Sequence, residues 1–127
     1  MNNKPKTIEI TSIGCPFPYG GMHTLILKED CLEYMAGEEI VENIDINTVT
    51  QEQWDTFRAT LDSIGVWEWD KSYSPSMRIC DGYQWGVKIA YDDIAIESSG
   101  SNAYPENNAL NELFKAVEKL INGLEFF

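Results

Sequence analysis

The stretch QWGVKIAYDDIAIESSG, residues 84–100, carries the clearest structural pattern in the chain. Its apolar residues take every second position, as in a strand with one buried face: Trp85, Val87, Ile89 and Tyr91. Asp92 and Asp93 then interrupt the alternation as a turn does. Ile94 and Ile96 begin a returning strand, which ends in Ser98-Ser99-Gly100. The stretch therefore predicts a β-hairpin.

The next residues, GSNAYPEN at 100–107, lead from this hairpin towards a helix. One interpretation is an anion site, formed by backbone N–H groups at a helix N-terminus. The other is a structural joint, in which Gly100 supplies a positive φ and Asn102 makes a side-chain turn. Pro105 would then extend the chain, and Asn107 or Asn108 would cap the helix. The joint is favoured, because neither phosphate-binding fingerprint, G-K-[S/T] nor G-x-G-x-x-G, is present.

The end of the chain predicts an amphipathic helix. Its apolar residues form one broad stripe: Leu110, Leu113, Phe114, Val117, Leu120, Ile121 and Leu124. Polar residues such as Asn111, Lys115 and Glu118 fall opposite that stripe.

The segment WGVKIAYDDIAIESSGSNAYP, together with this closing helix, resembles a group of small, largely uncharacterised bacterial proteins. They share a W-x-[V/L]-x-[I/V] strand, a return strand and a G-S-N-A-Y-P-like segment. The resemblance covers the chain from about Trp67 onward. It implies an order of strands and helices and no activity.

The first half of the chain predicts three or four strands and a helix. Ile8 and Ile10 alternate with polar neighbours, and MHTLILK (22–28) and CLEYMA (31–36) flank a polar turn, as in a hairpin. VENIDIN (41–47) is a weaker strand candidate. Thr50 and Gln53 fit a capping box, and Gly65 fits a C-terminal stop. Between them, four apolar residues share one helical face: Trp54, Phe57, Leu61 and Ile64.

The order of elements predicts an α+β fold in a single domain, residues 1–127. The expected architecture is an antiparallel sheet of about five or six strands, with two amphipathic helices packed on one face. At 127 residues, the chain is long enough to bury a core of its own.

Composition favours a cytoplasmic protein. The N-terminus lacks the apolar region of a secretion signal, and no apolar run reaches membrane-spanning length. Cys15, Cys31 and Cys80 are odd in number, widely spaced and without a C-x-x-C pair, so they are expected to be ordinary reduced residues. The sequence predicts no cofactor and no metal site.

Charge is the most unusual property of the sequence. The chain has 21 acidic and 9 basic residues, for a net charge of −12. Between Glu29 and Asp70 there are twelve acids and a single base, Arg58. We call residues 29–70 the acidic third. Concentrated negative charge favours association with a cationic protein and opposes direct binding of nucleic acid. A merely solvated acidic face remains the alternative.

Catalytic candidates are few. His23 is the sole histidine, and nothing near it in the sequence supports a nucleophile or a metal site. Paired carboxylates occur at Glu38-Glu39 and Asp92-Asp93, with Asp81 a further candidate, but adjacent acids in turns are usually solvated.

Residues 67–85 contain five aromatic residues: Trp67, Trp69, Tyr73, Tyr83 and Trp85. Two of the five are expected on the surface, where they could anchor a protein interface.

The leading functional hypothesis is a non-enzymatic acidic module that binds a basic, nucleic-acid-handling protein. An inhibitor or an immunity protein of bacterial or phage origin would act in this way, including by charge mimicry of nucleic acid. Eight residues are predicted to form its binding surface, the last two as possible anchors: Glu38, Glu39, Glu42, Asp45, Glu52, Asp55, Trp67 and Trp69. No membrane contact is expected.

Two alternatives remain open at this point. One is a small ligand-binding or hydrolytic domain with a pocket formed by Asp81, Tyr83, Asn102 and Tyr104. The other is an accessory subunit that binds its partner without inhibiting it. The sequence does not specify the oligomeric state.

Overall fold

The computed structural model describes residues 4–13, 22–73, 84–101, 103, 105 and 109–121. These residues form seven strands and two helices, in this order: β1 (Thr7–Ile13), β2 (Met22–Leu27), β3 (Cys31–Ala36), β4 (Glu39–Asp45), α1 (Gln51–Ile64), β5 (Ser72–Tyr73), β6 (Gln84–Ala90), β7 (Ala95–Ser101) and α2 (Ala109–Leu120). Short 3₁₀ turns at Ile46–Thr48 and Val66–Glu68 lie on either side of α1.

The seven strands form one sheet, in the order β4-β3-β2-β1-β6-β7-β5. The α+β fold and both predicted hairpins, β2–β3 and β6–β7, are confirmed. The expected antiparallel sheet of five or six strands is correct only in part, because β5 adds a seventh strand that runs parallel to β7. With two residues, β5 is too short to show any periodicity. Long-range bonds position this segment, including Ser99 N–H to the Lys71 carbonyl at 3.1 Å.

Helix α1 begins and ends where the sequence predicts. The Thr50 hydroxyl accepts from the Gln53 N–H at 3.1 Å, and the Gln53 side-chain oxygen accepts from the Thr50 N–H at 2.8 Å. Gly65 ends the helix with a φ of +68°, a conformation that favours glycine. Trp54, Phe57 and Leu61 are buried.

One face of the sheet forms the core with both helices. Buried strand residues alternate with more exposed ones and include Ile8, Ile10, Leu25, Leu32, Ile44, Trp85, Val87 and Ile89. The predicted stripe of α2 is buried from Leu110 to Ile121, whereas Leu124 lies outside the described residues. Since α1 contacts α2 and both contribute to the same apolar cluster, the helices cover the same face.

Gly100 corrects one expectation. It lies inside β7, and the glycines with positive φ among the described residues are Gly37 and Gly65. Gly100 therefore does not turn the chain. It leaves space for its cross-strand neighbour Trp85, whose indole N–H donates to the Ala103 carbonyl at 2.9 Å. The predicted turn and caps at Asn102, Asn107 and Asn108 lie outside the described residues.

None of the helices described here is long and apolar enough to cross a membrane.

Candidate functional site

Four of the predicted binding residues lie along one edge of the sheet. Glu38 is in the two-residue loop between β3 and β4, whose first residue, Gly37, has a φ of +66°. Glu39, Glu42 and Asp45 belong to β4, the edge strand. We call Glu38, Glu39, Glu42 and Asp45 the acidic edge. All are exposed except Glu42, which is half-buried.

The acidic edge has no counter-charge among the described residues. The salt bridges in the described part of the chain join other residues, such as Lys6 with Asp92 at 2.6 Å and Lys28 with Glu33 at 3.4 Å. The same holds for Glu52, which is exposed in the first turn of α1 and lies there at the favourable end of the helix dipole. Negative charge at this edge is therefore available to a partner.

Asp55 also has a role in the fold, as does Asp45, whose carboxylate accepts from the Asn47 N–H at 2.9 Å; Asp55 acts on α1. Its carboxylate accepts a hydrogen bond from the Gln51 side-chain amide at 2.7 Å on the exposed side of α1. Asp55 thus stabilises the first turns of the helix, whatever further role it has.

Arg58, the single base of the acidic third, is used inside the fold. Its guanidinium forms a bidentate pair with the Asp93 carboxylate, at 3.0 and 3.3 Å, and also contacts Asp62 at 3.1 Å. It lies over the Tyr91 ring at 4.5 Å and over the Trp67 ring at 5.5 Å. The hydrogen bonds from Arg58 hold the pKa of Asp93 below its usual range. Arg58 therefore does not neutralise the acidic edge.

Trp67 and Trp69 do not lie beside the acidic edge. Trp67 contacts Tyr91 at the end of β6, and Trp69 packs edge-on against Trp85 with ring centres 5.7 Å apart. The 3₁₀ turn that carries Trp67 contacts β7. Four strands lie between β7 and β4 in the sheet. This separation corresponds to about 24 Å at the usual strand spacing. The two tryptophans and the acidic edge therefore form separate surfaces.

The aromatic residues of 67–85 that the structure describes are buried or half-buried. Trp85 is buried, and Trp67, Trp69 and Tyr73 are half-buried, while Tyr83 lies outside the described residues. The expectation that two of the five lie on the surface stays a prediction, because three are partly exposed and Tyr83 is not described. The segment itself docks on β6 and β7 rather than forming a free loop, as the 2.5 Å bond from the Ser98 hydroxyl to the Asp70 carbonyl shows.

Tyr91 carries a polar atom without a partner. Its hydroxyl is buried and finds no hydrogen-bond partner among the described residues. Burial raises the pKa of this hydroxyl above its ordinary value, so the group stays neutral.

We expect the free energy of unfolding of Tyr91→Phe to lie between that of the wild type and a value about 1 kcal/mol higher, because the substitution removes an unsatisfied buried hydroxyl. The ring that contacts Arg58 and Trp67 is retained. Urea unfolding of the two proteins at pH 7 measures the difference. A loss above about 1 kcal/mol would show that the hydroxyl has a stabilising partner.

The residues of the alternative pocket cannot be placed. Asp81, Tyr83, Asn102 and Tyr104 all lie outside the described residues. Beside β5 and β7, an open cavity of about 350 Å³ is lined partly by the hydroxyl-bearing residues Ser72, Tyr73, Ser99 and Ser101. Its described lining contains no carboxylate or histidine that could act as an acid or base.

His23 contacts Tyr34 on the neighbouring strand. Its Nδ1 lies 2.7 Å from the Tyr34 hydroxyl, and the two rings stack. Cys31 is half-buried, and burial with nearby acids raises the pKa of its thiol, which disfavours a thiolate nucleophile. Cys15 and Cys80 lie outside the described residues. Where side chains are described, no three His, Cys, Asp or Glu residues converge as a metal site.

Sequence reasoning missed two residues of the site. Ile40 and Val41 lie within the acidic edge and are 55% and 47% exposed. Their adjacency indicates that one of the two faces away from the core, and Val41 has no partner on β3 because the register shifts between Tyr34 and Met35.

Comparisons with known proteins supply no function. The chain matches no family model and no curated protein.

Proposed function

We propose that this chain is a non-enzymatic binding protein that docks its acidic edge on a basic, nucleic-acid-handling protein, as an inhibitor or immunity protein does. The observation that carries the proposal is an exposed edge strand with uncompensated acids around two exposed apolar residues. Interfaces combine an apolar centre with a charged rim in this way.

The sign of the charge selects the partner. Nucleic acid and anionic lipid surfaces would both be repelled by the acidic edge, whereas a cationic protein would be attracted and steered to it. A protein that handles nucleic acid carries such a cationic surface, and occupying that surface would exclude the nucleic acid. This is charge mimicry, and it makes inhibition the natural consequence of binding.

The position of Arg58 supports an interface rather than simple solubility. A solvated face tolerates bases among its acids, yet the one base in the acidic third pairs with Asp62 on its own helix and Asp93 on the β6–β7 turn, and with no residue of the acidic edge. The remaining charge is of one sign, which costs stability through self-repulsion unless a cationic partner compensates it.

A fourfold charge reversal to Lys at Glu38, Glu39, Glu42 and Asp45 tests the proposal. The partner is captured from a lysate of the source cell, purified and titrated with the wild-type and variant proteins. We expect affinity to fall by about 20-fold at low salt, with a smaller difference at high salt, because screening weakens the wild-type complex.

A matched control reverses four acids elsewhere to Lys: Glu68, Asp70, Glu97 and Glu112. Both variants have the same net charge, and thermal unfolding verifies that each is folded. Equal losses of affinity would reduce the effect to net charge, and an unchanged affinity of the acidic-edge variant would reject the proposal. Loss of the partner's activity on binding distinguishes an inhibitor from an accessory subunit.

A further inference from the structure

Backbone groups of β4 are directed away from the sheet. The Ile46 N–H donates to the Asp30 carbonyl at 2.9 Å, which fixes the hydrogen-bonded register at the end of the β3–β4 pair. Antiparallel pairs alternate, so Ile44 bonds to β3 and its neighbours Asn43 and Asp45 direct their backbone groups outward. In agreement, the Asp45 carbonyl accepts from the Thr48 hydroxyl at 2.7 Å.

Asn43 is therefore the central outward-facing position of the edge. Its side chain is exposed, and no described residue hydrogen-bonds to it. Because β4 has no neighbour on its outer side among the described strands, the Asn43 N–H and carbonyl can accept another strand.

Apolar side chains border the same edge. Of the large hydrophobic residues described, the most exposed are Met22, Ile40 and Val41. Met22 is close to the β3–β4 loop, since its carbonyl accepts from the Gly37 N–H at 2.7 Å. A strand bound along β4 would therefore gain apolar contacts as well as backbone hydrogen bonds.

The charge on β4 decides which strand can bind. A second copy of this chain would bring Glu39, Glu42 and Asp45 beside the same three acids, and like charges on paired strands are destabilising. In the β3–β4 register, Glu39 and Glu42 share one face of the sheet, and Ile40 and Asp45 share the other. A segment with Lys or Arg at alternate positions would instead meet the opposite charges of Glu39 and Glu42 and place its other side chains beside Ile40. The edge is thus protected against self-pairing and suited to a cationic strand.

We propose that β4 binds an extended basic segment of its partner by strand addition, with the Asn43 backbone at the centre of the new pairing. This inference rests on the proposed function and specifies how that binding takes place. The bound segment would alternate Lys or Arg with β-branched residues, which suit a strand.

The first test uses Asn43→Pro, with Asn43→Ala as the matched control. Proline removes an N–H that the register places outside the β3–β4 ladder, and edge strands tolerate it. The probe is an acetylated ten-residue peptide in which lysine alternates with valine. We expect about tenfold weaker binding for the proline variant and little change for alanine, because alanine retains the N–H. Equal binding by both variants would overturn the inference.

The second test needs no variant and therefore does not depend on folding of the proline protein. Amide hydrogen exchange is measured on the wild-type protein with and without the lysine–valine peptide. The Asn43 amide is expected to exchange rapidly alone and slowly with the peptide, whereas the Ile44 amide is protected in both states. An Asn43 amide that the peptide leaves unprotected would overturn strand addition.

Three further outcomes decide between this inference, a second copy as the occupant and failure of the proposed function. If the fourfold charge reversal weakens partner binding while Asn43→Pro does not, the acidic edge binds a folded surface, so strand addition fails and the proposed function stands. Self-association that Asn43→Pro abolishes, seen by sedimentation, would identify a second copy as the occupant and also overturn the inference. If the reversal has no effect, the proposed function itself fails.

Discussion

Gly100→Ala is expected to destabilise the protein by about 3 kcal/mol, the upper range for overpacking a tight core. A Cβ at this position would lie 2.6 Å from Cε2 of Trp85 and 2.6 Å from the Ala103 carbonyl oxygen. Neither neighbour can move freely, because the carbonyl is backbone and Trp85 is buried and packed against Trp69 and Tyr73. Urea unfolding at pH 7 measures the loss.

Gly86→Ala provides the matched control within the same hairpin. A Cβ there would meet the Thr11 side-chain oxygen at 3.0 Å, and a side chain can shift more easily than backbone. We expect a loss of less than about 1 kcal/mol for this variant. Similar effects of the two substitutions would show that general strand flexibility, and not the space for Trp85, explains the role of Gly100.

A double-mutant cycle with Trp85→Phe identifies the neighbour responsible. Phenylalanine replaces the indole by a smaller ring and removes Nε1, the atom nearest to a Cβ at Gly100, at the cost of the hydrogen bond to Ala103. The loss caused by Gly100→Ala should then be smaller in the Trp85→Phe background, so that the double variant loses less stability than the sum of the two single losses. Strict additivity would contradict the proposed contact.

The features that could be predicted from the sequence depend on local patterns. These patterns involve residues that are close together in the sequence: the capping box at Thr50 and Gln53, the stop at Gly65 and the alternation from Trp85 to Tyr91. Side-chain period and cap chemistry act at that range, so one sequence suffices to recognise them.

The features that could not be predicted depend on contacts between distant segments. Strand β5 exists because residues 70–73 meet β7, nearly 30 positions later in the chain. Gly100 fits the composition of a turn equally well, and only the position of the Trp85 ring shows its actual role. Trp67 and Trp69 are half-buried for the same reason, since β6 and its following turn provide the surface they contact.

The acidic residues of the candidate site could be predicted from the sequence, but their position on an unpaired edge strand could not. Counting acids identified Glu38, Glu39, Glu42 and Asp45, and the structure places all four on one edge. That this edge is unpaired follows from the order of strands in the sheet, which no local pattern encodes. The exposure of both Ile40 and Val41 likewise depends on the position of β4 and on the register shift opposite Tyr34 and Met35, whereas their adjacency indicates the exposure of only one.

Arg58→Ala is expected to lower the free energy of unfolding by about 2 to 3 kcal/mol at pH 7, through lost charged hydrogen bonds and lost cation–π contacts. The side chain is only 19% exposed and connects α1 to the β6–β7 turn through Asp93. Asp93 itself is 66% exposed, so solvent weakens its part of the effect. Urea unfolding measures the loss, and Arg58→Lys, which keeps the charge without the planar fork, should recover less than half of it.

The effect of Arg58→Ala should also depend on pH, in a direction fixed by Asp93. Arg58 lowers the pKa of this carboxyl in the folded state. Its contribution is therefore present above the unfolded value of about 3.9 and is lost as pH falls through the folded pKa. The stability difference between wild type and Arg58→Ala should narrow below about pH 4. Asp93→Asn should remove that narrowing, and a difference that stays constant down to pH 2 would show that Arg58 acts through Tyr91 and Trp67 alone.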